Sequence, residues 1–150
     1  MRLSAKSKYG ARAMMELARN YGKGEKVLSV HSIAEKQNIS ERYLQNILLM
    51  LVDAGLLKSV RGKKGGFILA RNPLCINVAE MLHVLEEGRY LIDCVENEQS
   101  CYKCSTCIVK GIFKKASATL YNFLSKISLS ELAKMSSEGE PREKKLDFNI

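Results

Sequence analysis

The sequence lacks any apolar run long enough to cross a bilayer. Its longest purely apolar stretch, from Ile47 to Val52, is much shorter than the ~20 residues that a transmembrane helix requires. Residues 1–6 carry basic side chains, but no apolar stretch with a small-residue cleavage site follows them, so an export signal is also missing. We therefore expect a protein that stays in the cytoplasm and makes no contact with membranes.

The sequence also lacks the signatures of nucleotide-binding and catalytic sites. The glycine-rich segment from Arg61 to Gly66 does not end in the Gly-Lys-Ser/Thr of a P-loop, and no dinucleotide fingerprint follows a strand. No loop offers paired carboxylates or an activated nucleophile. An enzyme is therefore disfavoured.

Positive charge exceeds negative charge by a wide margin. The 150 residues include 24 lysines and arginines against 16 acidic residues, which gives a net charge of +8. Basic side chains near phosphates release condensed counterions, so this balance favours a polyanionic partner, with nucleic acid as the leading candidate and a merely solvated basic face as the alternative. A chain of this length can bury one core and still carry an appended element.

Three amphipathic helices are predicted in the first third of the chain. In the first helix, apolar residues recur at three- and four-residue steps from Tyr9 to Tyr21. Ser29 is expected to cap a short second helix, and Ser40 a longer third one. The third helix has an apolar stripe and an opposite polar face, formed respectively by Leu44, Ile47, Leu48 and Leu51 and by Glu41, Arg42, Gln45 and Asn46. This arrangement predicts a helix-turn-helix whose second helix can enter a major groove.

A basic hairpin is predicted directly after this helix pair. Two short strands, at residues 56–60 and 67–70, flank a glycine-rich tip that carries Arg61, Lys63 and Lys64. Glycines permit positive φ angles, and the three charges suit phosphates or a minor groove. An ordinary surface loop is the alternative, but the position after the helix pair favours a wing.

The second half of the chain is predicted to contain a connecting helix and a helix that pairs two subunits. A connecting helix occupies residues 73–92, and an apolar stripe from Ile108 to Ile127 predicts a long helix in the region 108–135. The plainest cover for that stripe is the same helix of a second subunit, and packing against its own domain is the alternative. Charged residues dominate the tail 136–150, which is expected to be disordered. The residues before this half, 1–72, are expected to form the winged helix-turn-helix DNA-binding domain.

Four of the five cysteines cluster between these two helices, in the segment 93–107. Without an export signal, a disulfide framework is disfavoured, and metal or redox chemistry is the better interpretation. The two-residue gaps that separate Cys101, Cys104 and Cys107 resemble the opening of a ferredoxin cluster motif, whereas zinc and unliganded redox thiols remain alternatives. Cys75 stands apart among apolar neighbours and is expected to be a small buried hydrophobe.

Several short runs together resemble one family of bacterial regulators. They are Met1-Arg2-Leu3-Ser4, Tyr9-Gly10-Ala11-Arg12-Ala13, Ile39-Ser40 with Tyr43-Leu44, and Ser59-Val60-Arg61-Gly62 with Gly65-Gly66-Phe67. In these runs, and to about residue 135, the chain resembles the IscR-type winged-helix regulators, a group that includes NsrR-like and CymR-like proteins. The resemblance implies a mainly α fold, with a winged helix-turn-helix domain and a long C-terminal dimerisation helix.

The resemblance also implies a homodimer that binds a pseudo-palindromic operator in double-stranded DNA. The residues that it places against bases or phosphates are Ser40, Arg42, Tyr43 and Gln45, with Arg61 in the wing. The side chains of Arg42 and Gln45 independently suit guanine and adenine edges, and Lys63 adds charge to the tip. For Tyr43, a ring packed against the second helix is the alternative.

Cluster-binding members of this family carry three cysteines in the loop before the long helix, and these correspond to Cys94, Cys101 and Cys107. The resemblance therefore implies an iron-sulfur cluster, with 2Fe-2S as the preferred type and 4Fe-4S as the alternative. Cys104 is additional. It is the natural local candidate for the fourth ligand, which stays open because Lys110 stands where IscR has a histidine, and Lys8 stands where NsrR-like proteins have an aspartate. His31 and His83 are expected to be ordinary surface or packed histidines.

These expectations combine into a regulator whose operator affinity depends on the cluster. Assembly, loss or oxidation of the cluster is expected to reorder residues 93–107 and to shift the long helix. This shift is expected to move the third helix of each subunit, which enters the major groove. One alternative is a cluster-free regulator of sulfur metabolism, controlled by a partner enzyme or by thiol redox state. A structural zinc site in place of the cluster is another.

Overall fold

The computed structural model describes residues 3–23, 27–86, 95, 97 and 106–137. In chain order, its elements are α1 (Ala5–Asn20), α2 (Val30–Gln37), α3 (Glu41–Asp53), β1 (Leu57–Val60), β2 (Gly66–Leu69), a 3-10 turn (Pro73–Cys75), α4 (Val78–Leu85), α5 (Ile108–Ser125) and α6 (Leu129–Ser137). Three helices and a hairpin thus come first, as the sequence predicts, and three further helices follow.

Serine side chains set the starts of the first three helices. The hydroxyl oxygens of Ser4, Ser29 and Ser40 each accept a hydrogen bond from the backbone N–H three residues further on. Such caps satisfy one of the N–H groups that the first turn of a helix leaves unpaired. Asn38 ends α2 in the left-handed conformation, at φ 51°, and turns the chain into α3. The two predicted caps, at Ser29 and Ser40, are confirmed.

The core lies where α1, α3 and α4 meet. The predicted apolar stripe of α3 is fully buried in it, at Leu44, Ile47, Leu48 and Leu51. Gly10 lets α1 approach closely, because a Cβ there would lie 2.6 Å from Cδ1 of Leu85 and 3.2 Å from Cγ2 of Ile47. Since each buried leucine or isoleucine contributes about 1.5–3 kcal/mol, this stripe fixes how α3 sits on the domain.

The hairpin is hydrogen-bonded to the segment that precedes α2. β1 and β2 pair antiparallel, from Leu57 opposite Leu69 to Val60 opposite Gly66. Leu28, just before α2, exchanges two backbone hydrogen bonds with Phe67, at 3.0 and 2.9 Å. These bonds hold β2 close to the point where the tip begins.

The predicted region 108–135 consists of two helices. Ser128 and Glu131 form a reciprocal cap between them, in which the Ser128 N–H donates to the Glu131 carboxylate and the Glu131 N–H donates to the Ser128 hydroxyl. This cap starts α6, which buries Leu129 and Ala133 and packs against α1 of the same chain. α6 continues to Ser137, so the first two residues of the predicted tail belong to this helix.

The prediction that Cys75 is buried is wrong. Asn72 caps the 3-10 turn through a hydrogen bond from the Leu74 N–H to its side-chain oxygen, at 3.0 Å. The turn then directs Pro73 and Ile76 into the core, and it leaves Cys75 and Leu74 exposed. The turn geometry, and not the apolar neighbours, decides which side chain points inward.

Several predictions lie outside the described residues: the connecting segment after residue 86 and the tail after residue 137, together with Cys94, Cys101 and Cys104. Among the residues that the structure does describe, none of the helices combines the length and the apolarity needed to cross a membrane.

Candidate nucleic-acid interface and cysteine segment

The outward face of α3 carries the side chains that the sequence predicts for base contacts. Arg42 and Gln45 are exposed, opposite the buried stripe. At about 100° per residue, Asn46 and Leu49 share this face with them. Asn46 is exposed, and Leu49 leaves 42% of its surface exposed. The sequence pattern predicts Asn46 on the polar face without a role, and it does not indicate Leu49 because that residue lies within an apolar run.

Ser40 and Tyr43 stand at the N-terminal end of this face. The Ser40 hydroxyl accepts a hydrogen bond from the Tyr43 N–H at 3.2 Å, and a hydroxyl that accepts can also donate its own proton outward. The Tyr43 ring meets Tyr9 of α1 edge to face, with centroids 6.1 Å apart, and remains 36% exposed. The ring therefore contacts α1, and its exposed part lies beside the outward face of α3.

A histidine at the start of α2 pairs with the first residue of α3. Nδ1 of His31 lies 2.7 Å from the Glu41 carboxylate, and both side chains are largely exposed. This hydrogen bond, with the negative charges of Glu41 and Glu35, raises the pKa of His31 above its ordinary value. The pair places one acidic group of the candidate interface next to a group that can carry positive charge. Sequence patterns did not indicate it, because its two members lie in different helices.

The wing tip displays its three basic side chains to solvent. Arg61, Lys63 and Lys64 are all exposed. Gly62 adopts φ 112°, and the Gly65 N–H donates to its carbonyl at 2.9 Å, which closes the turn. The glycines permit this turn and the hydrogen bond closes it, so the charges project from a tight loop.

The wing and α3 form one continuous structure. Just before β1, the Leu56 N–H donates to the Leu51 carbonyl of α3 at 2.9 Å, and the Ala70 N–H donates to the Leu56 carbonyl at 3.0 Å. The polar helix face and the basic tip thus belong to one hydrogen-bonded unit. A helix that suits a major groove followed by a basic wing can contact bases and phosphates together.

Cys107 is the one cysteine of the cluster that the structure describes. It is the N-cap of α5, is half-buried, and makes no capping hydrogen bond with its side chain. In contrast, α1 to α4 each begin with a serine or asparagine whose side chain caps the helix. The thiol is thus not committed to capping. Within the described ranges, no group of three or more His, Cys, Asp or Glu side chains could hold a metal ion.

Glu86 lies at the other side of the cysteine segment and contacts α1. Its carboxylate accepts hydrogen bonds from the Ser4 N–H, at 2.8 Å, and from the Ser7 hydroxyl. Partial burial acts to raise the pKa of Glu86, but the hydrogen bonds from Ser7 and Ser4 outweigh it and hold the pKa below its ordinary value. The end of α4 is therefore joined to the start of α1.

The N-terminal half of α5 presents an apolar face to solvent. Ile108 and Ile112 are 82% and 61% exposed, and Val109 and Phe113 are exposed as well. The other end of the helix is anchored, because the Val78 N–H of α4 donates to the Ile127 carbonyl at 3.0 Å. This face follows directly after Cys107.

Comparisons with known proteins agree with this arrangement. The chain matches the Rrf2 family, described as "Iron-dependent Transcriptional regulator", over residues 3–135. Protein rrf2 of Nitratidesulfovibrio vulgaris is 30% identical over 132 residues, which are 88% of this chain and 87% of that protein. The structure of T. potens IscR is similar with a TM-score of 0.72 at 36% identity, over 93% of this chain and 91% of that one. The structure of CymR, the global cysteine regulator of B. subtilis, is similar with a TM-score of 0.69 at 30% identity, over 90% of this chain and 98% of that one. The predicted winged-helix fold is confirmed.

Proposed function

Because the chain belongs to the Rrf2 family, whose members are DNA-binding transcriptional regulators and not enzymes, we propose that it is a homodimeric regulator controlled by an iron-sulfur cluster. The proposed cluster ligands are Cys94, Cys101 and Cys107, with Cys104 as the fourth thiolate. The observation that carries the proposal is the thiol of Cys107. It does not cap α5, and in the sequence it follows the other three clustered cysteines and directly precedes the exposed apolar face.

DNA binding is assigned to α3 and to the wing. Arg42 and Gln45 suit base edges in a major groove, while Ser40 and the exposed part of Tyr43 suit the flanking backbone. The exposed charges at the wing tip, those of Arg61 and Lys63 included, suit phosphates or the adjacent minor groove. The net charge of +8 favours association with a polyanion.

The apolar face of α5 is proposed to pair with the same face of a second copy. Leaving Ile108, Ile112 and Phe113 in water is unfavourable by about 25 cal/mol for each Å² of apolar surface, and a two-fold axis covers both faces at once. Such a dimer presents two α3 helices to half-sites about one helical turn apart. Ile112→Asp is expected to yield a folded monomer in sedimentation experiments, whereas an unchanged dimer contradicts this assignment.

In the sequence, the cysteine segment lies between the proposed dimer helix α5 and Glu86, which contacts α1. A change in the cluster has to reach both of these parts to alter DNA binding. When bound, the cluster supplies thiolate–iron bonds that tie residues 93–107 together. On one side Cys107 begins the proposed dimer helix, and on the other side Glu86 holds Ser4 and Ser7 of α1. α1 in turn supports α3 through the edge-to-face contact between Tyr9 and Tyr43. We propose that reordering of the segment changes the position of α3 along this path.

The cluster is tested by measuring the colour and the iron and sulfide content of protein purified without oxygen. We expect a coloured wild-type protein that contains iron and sulfide, and we expect Cys94→Ala, Cys101→Ala and Cys107→Ala to lose both. Cys104→Ala reports whether that thiol is the fourth ligand. Cys75→Ala is the matched control, because Cys75 is exposed and lies on the 3-10 turn, so it is expected to keep the colour. A colourless wild type that contains zinc or no metal contradicts the proposal.

A second candidate function is favoured by the likeness to CymR. That likeness, with 98% of the CymR chain covered, supports a cluster-free regulator of sulfur metabolism, controlled by a partner enzyme or by thiol oxidation. In that case the anaerobic protein is metal-free, and its DNA affinity changes only when the thiols are oxidised or a partner protein is added. The same preparation therefore separates the two candidates.

A further inference from the structure

Leu49 departs from the chemistry of the face on which it lies. Arg42, Gln45 and Asn46 give the outward side of α3 a polar surface, but Leu49 adds a large apolar side chain that is 42% exposed. It lies opposite the buried stripe, so the core of its own domain cannot cover it. A single exposed leucine is common on proteins. This one, however, lies on the face that the proposed function turns toward DNA.

The spacing along α3 places Leu49 within reach of the groove. Leu49 follows Arg42 by two helical turns and Gln45 by one, so the three side chains form a row. The rise from Gln45 to Leu49 is about 6 Å at 1.5 Å per residue, which corresponds to roughly two base-pair steps of 3.4 Å. Asp53 follows one turn later, and its carboxylate is unfavourable beside phosphates. The DNA-facing part of α3 therefore ends at Leu49.

We propose that Leu49 is a specificity-determining residue that packs against the 5-methyl group of a thymine. Among the base edges in the major groove, the thymine methyl is the apolar group, whereas the other positions are hydrogen-bond donors and acceptors. Leu49 can form no hydrogen bond, so it gains from that methyl alone and loses against a polar edge. The assignment rests on the proposed function, because it requires α3 to enter the groove.

The expected effect is small enough to leave binding measurable. Burying one methyl group is worth about a fourfold change in affinity. Replacing the contacted thymine by deoxyuridine removes that methyl and changes no hydrogen-bonding group. At one thymine position in each half-site, we therefore expect substitution by deoxyuridine to weaken binding of the wild-type protein about fourfold.

The experiment uses duplexes selected from a random pool by the full-length wild-type protein. Each thymine in the selected sequence is replaced in turn by deoxyuridine, and the affinities of wild type, Leu49→Ala and Leu74→Ala are measured. Leu74→Ala is the matched control, because Leu74 is 65% exposed but lies on the 3-10 turn. Leu49→Ala is expected to bind the thymine duplex more weakly than wild type and to be insensitive to deoxyuridine at one position. Leu74→Ala is expected to behave like wild type.

The outcomes separate this assignment from the proposed function. If wild type selects no sequence, the DNA-reading role of α3 and the role of Leu49 both fail. If wild type selects a sequence but Leu49→Ala responds to every deoxyuridine as wild type does, only the role of Leu49 fails. If Leu49→Ala instead changes the sedimentation of the free protein, Leu49 contacts another protein chain, and the thymine assignment is overturned.

Discussion

The carboxylate of Glu86 accepts the backbone N–H of Ser4 at 2.8 Å, so the last described residue before the cysteine segment is bonded to the N-cap of the first helix. The Ser7 hydroxyl donates to the same oxygen. A negative charge at the N-terminus of a helix also interacts favourably with the helix dipole. Any rearrangement that moves Glu86 therefore acts directly on α1, which packs against α3.

Replacing Glu86 by glutamine tests this connection. Glu86→Gln keeps an acceptor but removes the charge, so we expect it to lower the free energy of unfolding by about 1 kcal/mol at pH 7. Because the folded-state pKa of Glu86 is depressed, its contribution is present above the ordinary pKa of 4.5 and is lost as the pH falls through the lower folded value. Urea unfolding of both proteins should therefore converge in acid. A difference that does not change with pH argues against a role for the carboxylate charge.

The pair formed by His31 and Glu41 has the opposite pH dependence. A histidine whose pKa is raised contributes stability that is complete below the ordinary value of 6.5 and is lost as the pH rises through the folded value. We expect an NMR titration to give His31 a pKa above 6.5, and Glu41→Gln to return it toward that value. An unchanged titration in Glu41→Gln means that the pair does not form in solution.

The start of β2, directly after the wing tip, requires a glycine at position 66. A Cβ on Gly66 would lie 2.1 Å from the Leu28 carbonyl oxygen, a backbone atom that cannot move aside. Gly66→Ala is therefore expected to cost roughly 2 kcal/mol or more in chemical unfolding. Gly55→Ala is the comparison, because Gly55 has φ +73° but open space, so we expect a cost of about 1 kcal/mol from backbone strain alone. Equal costs would mean that the strand contact with Leu28 is dispensable.

Two kinds of DNA contact should respond differently to substitution. Lys63→Ala is expected to weaken binding to all sequences alike and to reduce the slope of log affinity against log salt by about one unit. Arg42→Ala is expected to cost about 1–3 kcal/mol on a selected duplex and much less on an unrelated one. Binding titrations at several salt concentrations separate the two. The reverse pattern contradicts the assignment of α3 to base reading.

Local signals were sufficient to predict most of the DNA-binding domain. Ser29 and Ser40 are strong capping residues, and the period of the apolar stripe in α3 specifies which face is buried. The glycines around Lys63 mark the wing for a similar reason, because the backbone conformation that they permit is a property of the residue itself. In each case the cause lies within a few residues of its effect.

Other features were missed or predicted wrongly, some for local reasons and one because it depends on a distant contact. Cys75 is exposed because a capped turn directs its neighbours inward, and Leu49 faces outward because helix geometry overrides its apolar character. The contact of Glu86 with Ser4 joins residues far apart in the chain, so no local pattern reveals it. The cap between Ser128 and Glu131 is different, since its four-residue pattern is visible in the sequence and could have marked the start of α6.

We propose that the state of the cysteine segment controls DNA affinity. The most direct measurement compares the affinity of one anaerobic preparation for its selected duplex before and after iron and sulfide are removed, with Cys107→Ala measured beside it. We expect the two forms of the wild type to differ by about 5- to 150-fold, as coupling of 1–3 kcal/mol requires, and Cys107→Ala to behave as the metal-free form throughout. Equal affinities of the two wild-type forms would mean that the cysteine segment does not control DNA binding.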